Sequence, residues 1–317
     1  MLRFVLLCFC LQAFSLSAQE TDTVPLLRSF GIAYENDLLT VPVYGRTDYY
    51  YTGGSFIEFN LPALRKNPVS KILVKLEQGR DESFGISINN LGFTPTSIKS
   101  DTLLSADRPF CATLFLGLNR VSCNADKQIR LSTEFDLGVI GPLAFGYETQ
   151  KFIHSHTNNP IPHGWQFQIA NDVYINYSLK LEKGLLIKNA VEMIAYGKLN
   201  AGTIYDNAAL GLKIRTGRMD HYFNAPGYSK RLQFWLYASA EAKIIGRDAT
   251  LQGGLFNKAS TYVIADENIK RATLSEIAGV VFAFKRIRID YYNTFISPEF
   301  KGGRKHAWGH LGLTFRF

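Results

Sequence analysis

The chain has 317 residues, a formal charge of +8 and an abundance of aromatic side chains, 23 Phe and 16 Tyr. Beyond its first 20 residues no apolar run reaches the roughly 18 residues that a membrane-crossing helix needs, which excludes a helical membrane protein. A mild basic excess is most often a solubility feature and also suits anionic lipid headgroups, and without a basic run interleaved with aromatics it does not point to nucleic acid.

The first element is "MLRFVLLCFCLQAFSLSAQE", with one basic residue (Arg3), an apolar run and small residues before Gln19. This is the layout of a secretory signal peptide over 1–19, leaving 20–317 as one mature domain. Cys8 sits inside the apolar run, so no lipoprotein processing site is read. Cys111 and Cys123 then remain, at the two ends of one expected strand. A separation of roughly 40 Å along that strand rules out a disulfide between them.

Strand patterns follow near 28–36, 52–61, 83–93, 109–121, 128–141, 165–182, 184–197, 202–215, 231–246, 273–284, 286–296 and 306–317. In "IRLSTEFDLGV" the polar Arg130, Ser132, Glu134 and Asp136 alternate with apolar residues. In "LQFWLYASAEAKII" Leu232, Phe234, Leu236 and Ile244 oppose Gln233, Glu241 and Lys243. Strict period 2 sustained well beyond the common soluble strand of about 5–6 residues is what a membrane barrel requires, apolar toward lipid and polar toward the lumen. About twelve such segments give the even number of a single-chain bacterial barrel. The last of them, "HLGLTFRF", ends on Phe317 and resembles the C-terminal signature of bacterial outer-membrane barrels. The expected fold is therefore all-β, an antiparallel transmembrane β-barrel of about twelve strands, with a short helical segment near its active site.

Polar clusters interrupt this pattern. "YENDLLTVPVYGRTDYYYTGG" (34–54) crowds Glu35, Asn36, Asp37 and Asp48 around two strand-like stretches. Alternation would send Asn36 and Asp37 to opposite sides of the wall, so both reach one site only if the chain bulges or leaves the sheet there. "NNLGFTPTSIKS" (89–100) brings Lys99, a fixed positive charge. In "GVIGPLAFGYETQKFIHSH" (138–156) Gly141-Pro142 breaks the strand pattern, and the residues that follow suit a short helix with Pro at its start, on which Gln150 and His154 share a face. A histidine held that way can act as a general base, Asn36 and Asp37 offer the hard oxygens that calcium prefers, and Lys99 suits an oxyanion.

Seven short motifs in order, "YEND" (34–37), "TDYYYTGG" (47–54), "FTP" (93–95), "DRPF" (107–110), "GVIGP" (138–142), "QKFIH" (150–154) and "GWQFQ" (164–168), resemble the outer-membrane lipid A 3′-O-deacylases. The resemblance implies a calcium-dependent hydrolysis of an ester-linked acyl chain of lipid A or lipopolysaccharide in the bacterial outer membrane, with no obligate protein partner evident. It implies His154, Lys99, Asn36 and Gln150 as the catalytic set, with His154 activating water and Lys99 one residue off the family spacing. It also implies Thr52 at the substrate and the metal, and Asp37 as the carboxylate ligand. The family carries an acid a few positions after the histidine. None stands in "SHTNNPIPHGW" (155–165), where Asn158, Asn159 or a backbone carbonyl would have to substitute. Two other readings compete: an inactive barrel of the same ancestry with a structural or passive-transport role, and a calcium-dependent phospholipase. The latter usually shows a Ser-His pair on the wall, which is not evident in the sequence, and "GxSxG" is absent.

Overall fold

A computed structural model describes residues 28–41, 49–77, 79, 81–224 and 231–317. The expected signal peptide and Asp48 lie outside the described residues. Twelve antiparallel strands close into one barrel, each paired with its sequence neighbours, and the first pairs with the last. They are β1 (Ser29–Asn36), β2 (Tyr50–Asn60), β3 (Asp81–Thr94), β4 (Cys111–Asn124), β5 (Ile129–Ile140) and β6 (Asp172–Lys188), then β7 (Val191–Gly202), β8 (Tyr205–Arg218), β9 (Gln233–Asp248), β10 (Ala272–Phe284), β11 (Ile287–Ile296) and β12 (His306–Arg316).

Ten of the twelve expected strands fall within a few residues of their places. The other two are shifted, because the alternation at 165–182 begins before the sheet does. Trp165–Phe167 form a 3-10 turn, and the fully buried Ile169 packs across the barrel end, its N–H bonded to the Phe110 carbonyl. An apolar plug residue and an apolar strand residue look alike in sequence. At the other end of β6, Gly184 marks a bulge rather than a turn, and the chain reverses at 189–190 instead.

The tight turns at 125–128, 189–190 and 285–286 share one end with Ser29, Arg316 and the longer 61–80 and 219–232, while the connections 37–49, 95–110, 141–171, 249–271 and 297–305, with the short 203–204, share the other. Outer-membrane barrels place short turns in the periplasm and long loops outside, which orients the chain. The wall follows the expected polarity. Ile32, Ile57, Ile88, Leu137, Leu236 and Leu313 are exposed on the lipid face, while Asn89, Glu134, Asp136 and Gln233 are turned inward and partly or fully buried.

Inside, the cost of burying charge is met by pairing. Glu182 on β6 holds Lys180 at 2.6 Å, Lys213 at 3.6 Å and Arg130 at 3.7 Å, and accepts the Tyr222 hydroxyl at 2.8 Å. Glu35 accepts from Tyr51 at 2.6 Å and from Tyr292 at 3.0 Å, and pairs with His310 at 3.0 Å. The outer end of the lumen is filled instead by an apolar layer that includes Tyr51, Phe93, Cys111, Ile140, Ile169 and Tyr174. Above it, buried Arg108 of "DRPF" bonds Glu299 and, at 2.8 Å, Thr250, which ties three outer connections together. Cys111 and Cys123, at the two ends of β4, are both buried and form no disulfide with each other, as their spacing requires.

Candidate active site

The opening stretch divides by alternation. Glu35 enters the lumen network, while Tyr34 and Asn36 face outward beside Ser55, which pairs with Tyr34. β1 then stops, and Asp37 begins a 3-10 turn (Asp37–Leu39) that Asn36 caps by accepting the Leu38 N–H at 2.8 Å. The chain therefore leaves the sheet directly after Asn36. On β2 the register shifts between Tyr51 and Gly53, so Thr52 is an extra residue. Such a bulge re-aims a side chain: Tyr51 stays inward and Thr52 joins the outward cleft. Asn36 Nδ2 donates to the Thr52 carbonyl at 2.6 Å and fastens the two strand ends together. Gly53 permits this close approach, since a Cβ there would lie 3.1 Å from the Glu35 carbonyl oxygen.

The helix comes from the 141–158 segment. Pro142–Ala144 form a 3-10 turn, held by Asn90 Nδ2 donating to the Ala144 carbonyl at 2.9 Å, and the helix proper, α1 (Gly146–Thr157), follows. Gly146 lets α1 seat on the wall, because a Cβ there would lie 2.5 Å from the Ala112 Cβ and from the Trp165 ring. Asn158, at φ 56°, ends the helix in the left-handed conformation that Asn tolerates.

Between α1 and the outer face of β1–β3 lies a cavity of about 50 Å³ whose lining includes Asn36, Thr52, Ser55, Asn90, Gln150 and His154. That volume admits a few waters but no acyl chain. It opens on the same face as the lipid-exposed Ile32, Ile57 and Ile88, at the outer end of the barrel.

Donor and acceptor roles inside it follow from chemistry. The Trp165 indole can only donate, and at 2.7 Å it fixes Gln150 Oε1 as its acceptor. Gln150 Nε2 therefore points to Thr52 Oγ1 at 3.2 Å. Having accepted there, the Thr52 hydroxyl keeps its own hydrogen to donate. His154 Nδ1 lies 2.6 Å from the Pro160 carbonyl, which only accepts, so Nδ1 carries the proton and Nε2 is the basic nitrogen.

Asn36, Thr52, Gln150 and His154 are thus brought into one cleft. Asp37 is buried directly beside it but does not line it. Lys99 is exposed on the 95–110 connection, outside the lining; its neighbour Ile98 accepts the His163 N–H at 2.7 Å and so abuts the segment after α1. The donors are hard oxygens, right for calcium in kind, but with Asp37 as the one adjacent carboxylate they fit a weak site rather than a tight cage. Among the described residues no group of three or more His, Cys, Asp or Glu is arranged so that it could hold a metal ion. Ser55 escaped sequence reasoning, because a polar residue on a lipid face is visible only once the face is known, and Tyr34 and Asn90 were marked only by their places in "YEND" and "NNLGFTPTSIKS". Trp165 was marked only by its place in "GWQFQ".

Comparison with known proteins completes the picture. The family model described as "Outer membrane protein LpxR" matches residues 4–317. Among solved structures, LpxR from Salmonella typhimurium superposes with a TM-score of 0.73 at 20% identity, covering 91% of this chain and 100% of that one. The β domain of the Bordetella autotransporter BrkA follows at TM-score 0.47 and 12% identity, covering 92% and 99%. No curated protein sequence matches. The fold shared with the Salmonella barrel and a family match over nearly the whole chain lead to one conclusion: this chain belongs to the LpxR family of outer-membrane proteins.

Proposed function

We propose that the cleft hydrolyses an ester-linked acyl chain of lipid A in the outer leaflet. The observation that carries this reading is His154, its Nδ1 held by the Pro160 carbonyl, on the lining of a water-sized cavity that opens sideways on the lipid-facing wall. A substrate embedded in the leaflet reaches it laterally, its acyl chain against the apolar wall and its ester carbonyl at the cavity mouth. His154 Nε2 takes a proton from water, and the water oxygen attacks the carbonyl carbon. The Thr52 hydroxyl, aimed by the Trp165–Gln150 relay, donates to the developing oxyanion. Collapse breaks the ester C–O bond, and the imidazolium returns its proton to the departing sugar oxygen, giving a free fatty acid and a sugar hydroxyl. The Pro160 carbonyl takes the orienting role of the absent acid, without its charge. Lys99, on the outer rim, is assigned to an anionic group of the lipid A headgroup. Mass spectrometry of lipid A incubated with the detergent-folded protein tests the reading: loss of one acyl mass supports it, and unchanged lipid A overturns it.

Calcium, held by Asp37 and Thr52, would supply polarisation of the ester carbonyl. One carboxylate sets the expected affinity, with half-maximal activation on the order of 10⁻⁴–10⁻³ M calcium. A titration from chelator upward reads this directly, and saturation at micromolar calcium would show that the ligand set is larger than assigned.

Ser55 in the same cavity favours a second reading, attack by a serine hydroxyl. Yet among the described residues Ser55 and His154 share no hydrogen bond, whereas His154 is fixed to Pro160. Ser55→Ala is expected to keep acyl release within about twofold of the native rate; a loss near that of a general base, 10²-fold or more, would move the nucleophile from water to Ser55. A passive-transport role is disfavoured by the apolar layer across the outer end of the lumen.

A further inference from the structure

The connection between β2 and β3 is long for a periplasmic turn, and it does not hang free. Its 3-10 turns, Pro62–Lys66 and Pro68–Lys71, and the stretch to Leu76 fold back against the outside of the wall. The outward Phe84 of β3 is only 2% exposed although it faces the lipid side, and Arg120 covers its ring while donating to the Leu73 carbonyl at 3.1 Å. Further along, Ser122 and Thr133 bond the backbone of Leu76 and Val74 at 3.2 Å, and the Tyr177 hydroxyl donates to the Ile72 carbonyl at 2.8 Å. Four strands, β3 to β6, thus hold one strap against the periplasmic half of the wall.

The strap's outer surface is of two kinds. Val69, Ile72 and Val74 stay 37%, 52% and 51% exposed. Arg65, Lys66, Lys71 and Lys75 are also exposed, and Glu77 is the one acid in the whole of 61–77. Among the described residues none of the four cations has a carboxylate partner. Apolar side chains beside unneutralised, long-stemmed cations are the composition of a segment that lies in a membrane interface, with its cations reaching for the headgroups. A connection meant only for periplasmic water has no use for those exposed aliphatics.

We propose that this strap is a binding surface for anionic phospholipid headgroups of the periplasm-facing leaflet, at the opposite end of the barrel from the hydrolytic cleft. Juxtamembrane Lys and Arg are attracted to an anionic surface individually, and four on one short segment act together.

The test uses the full barrel in a non-ionic detergent, mixed with equal amounts of phosphatidylglycerol and phosphatidylcholine and read by native mass spectrometry. Phosphatidylglycerol adducts are expected to outnumber phosphatidylcholine adducts about fivefold on the native protein. In R65Q/K66Q/K71Q/K75Q, shown to be folded by heat-modifiable gel migration, the ratio should approach one. Should that variant fail to fold, K71Q/K75Q alone is expected to give an intermediate ratio. Equal adducts on the native protein, or an unchanged preference in a folded variant, would overturn the proposal.

Discussion

His154→Ala is expected to lower acyl release from lipid A by about 10²–10⁴-fold, the usual contribution of a positioned general base. The size follows from the geometry. The Pro160 carbonyl holds the proton on Nδ1, so in the neutral ring Nε2 is the one basic nitrogen left to His154, which lines the cavity. His154→Asn separates proton transfer from positioning. Its amide N–H can still donate to Pro160, yet it has no base to offer, so it should be as inactive as the alanine variant. Activity close to native in His154→Asn would mean that the ring serves only to shape the loop after α1. Both variants should migrate as folded barrels, since His154 lies on a partly exposed helix outside the sheet.

Glu182→Gln carries the largest expected cost to stability, about 3–5 kcal/mol, the penalty for removing one partner from a buried ionic cluster. The substitution keeps the size of the side chain and removes the charge that compensates Lys180, Lys213 and Arg130. Glu182 is 1% exposed, so water cannot take over the task. A lower denaturant midpoint for unfolding from detergent or liposomes would report it. Glu267→Gln, on an exposed turn, provides the comparison and should change stability by no more than about 0.5 kcal/mol. An equal, small change in both variants would mean that the lumen is wetter than its packing indicates.

Much of the fold is legible along the chain because a membrane barrel writes its two solvents into every strand. The outward Leu311, Leu313 and Phe315 and the inward His310 can be read off "HLGLTFRF" with no knowledge of partners. Legibility fails where an apolar residue faces neither lipid nor lumen wall. Ile169 continues the alternation of β6 yet belongs to the plug, and the resulting shift moved two expected strands. The strap was equally hidden, because Arg120, Thr133 and Tyr177 bond its backbone carbonyls from the outside of a wall that does not exist until the barrel closes.

For the site, sequence alone determined the residue types and their local relations: Gln150 one helical turn before His154, and Asn36 at a strand end opposite Thr52 across a hairpin. Those depend on periods of 3.6 and 2 and on neighbouring segments. Tertiary structure decided the rest. A bulge turned Thr52 outward, the termination of β1 separated Asp37 from the cleft lining, and closure of the barrel set Trp165 behind Gln150. It also set the tautomer of His154, through a carbonyl six residues on that no pattern of side chains announces. A backbone carbonyl is present at every position, so its use as an orienting group becomes visible only when the chain has folded back upon it.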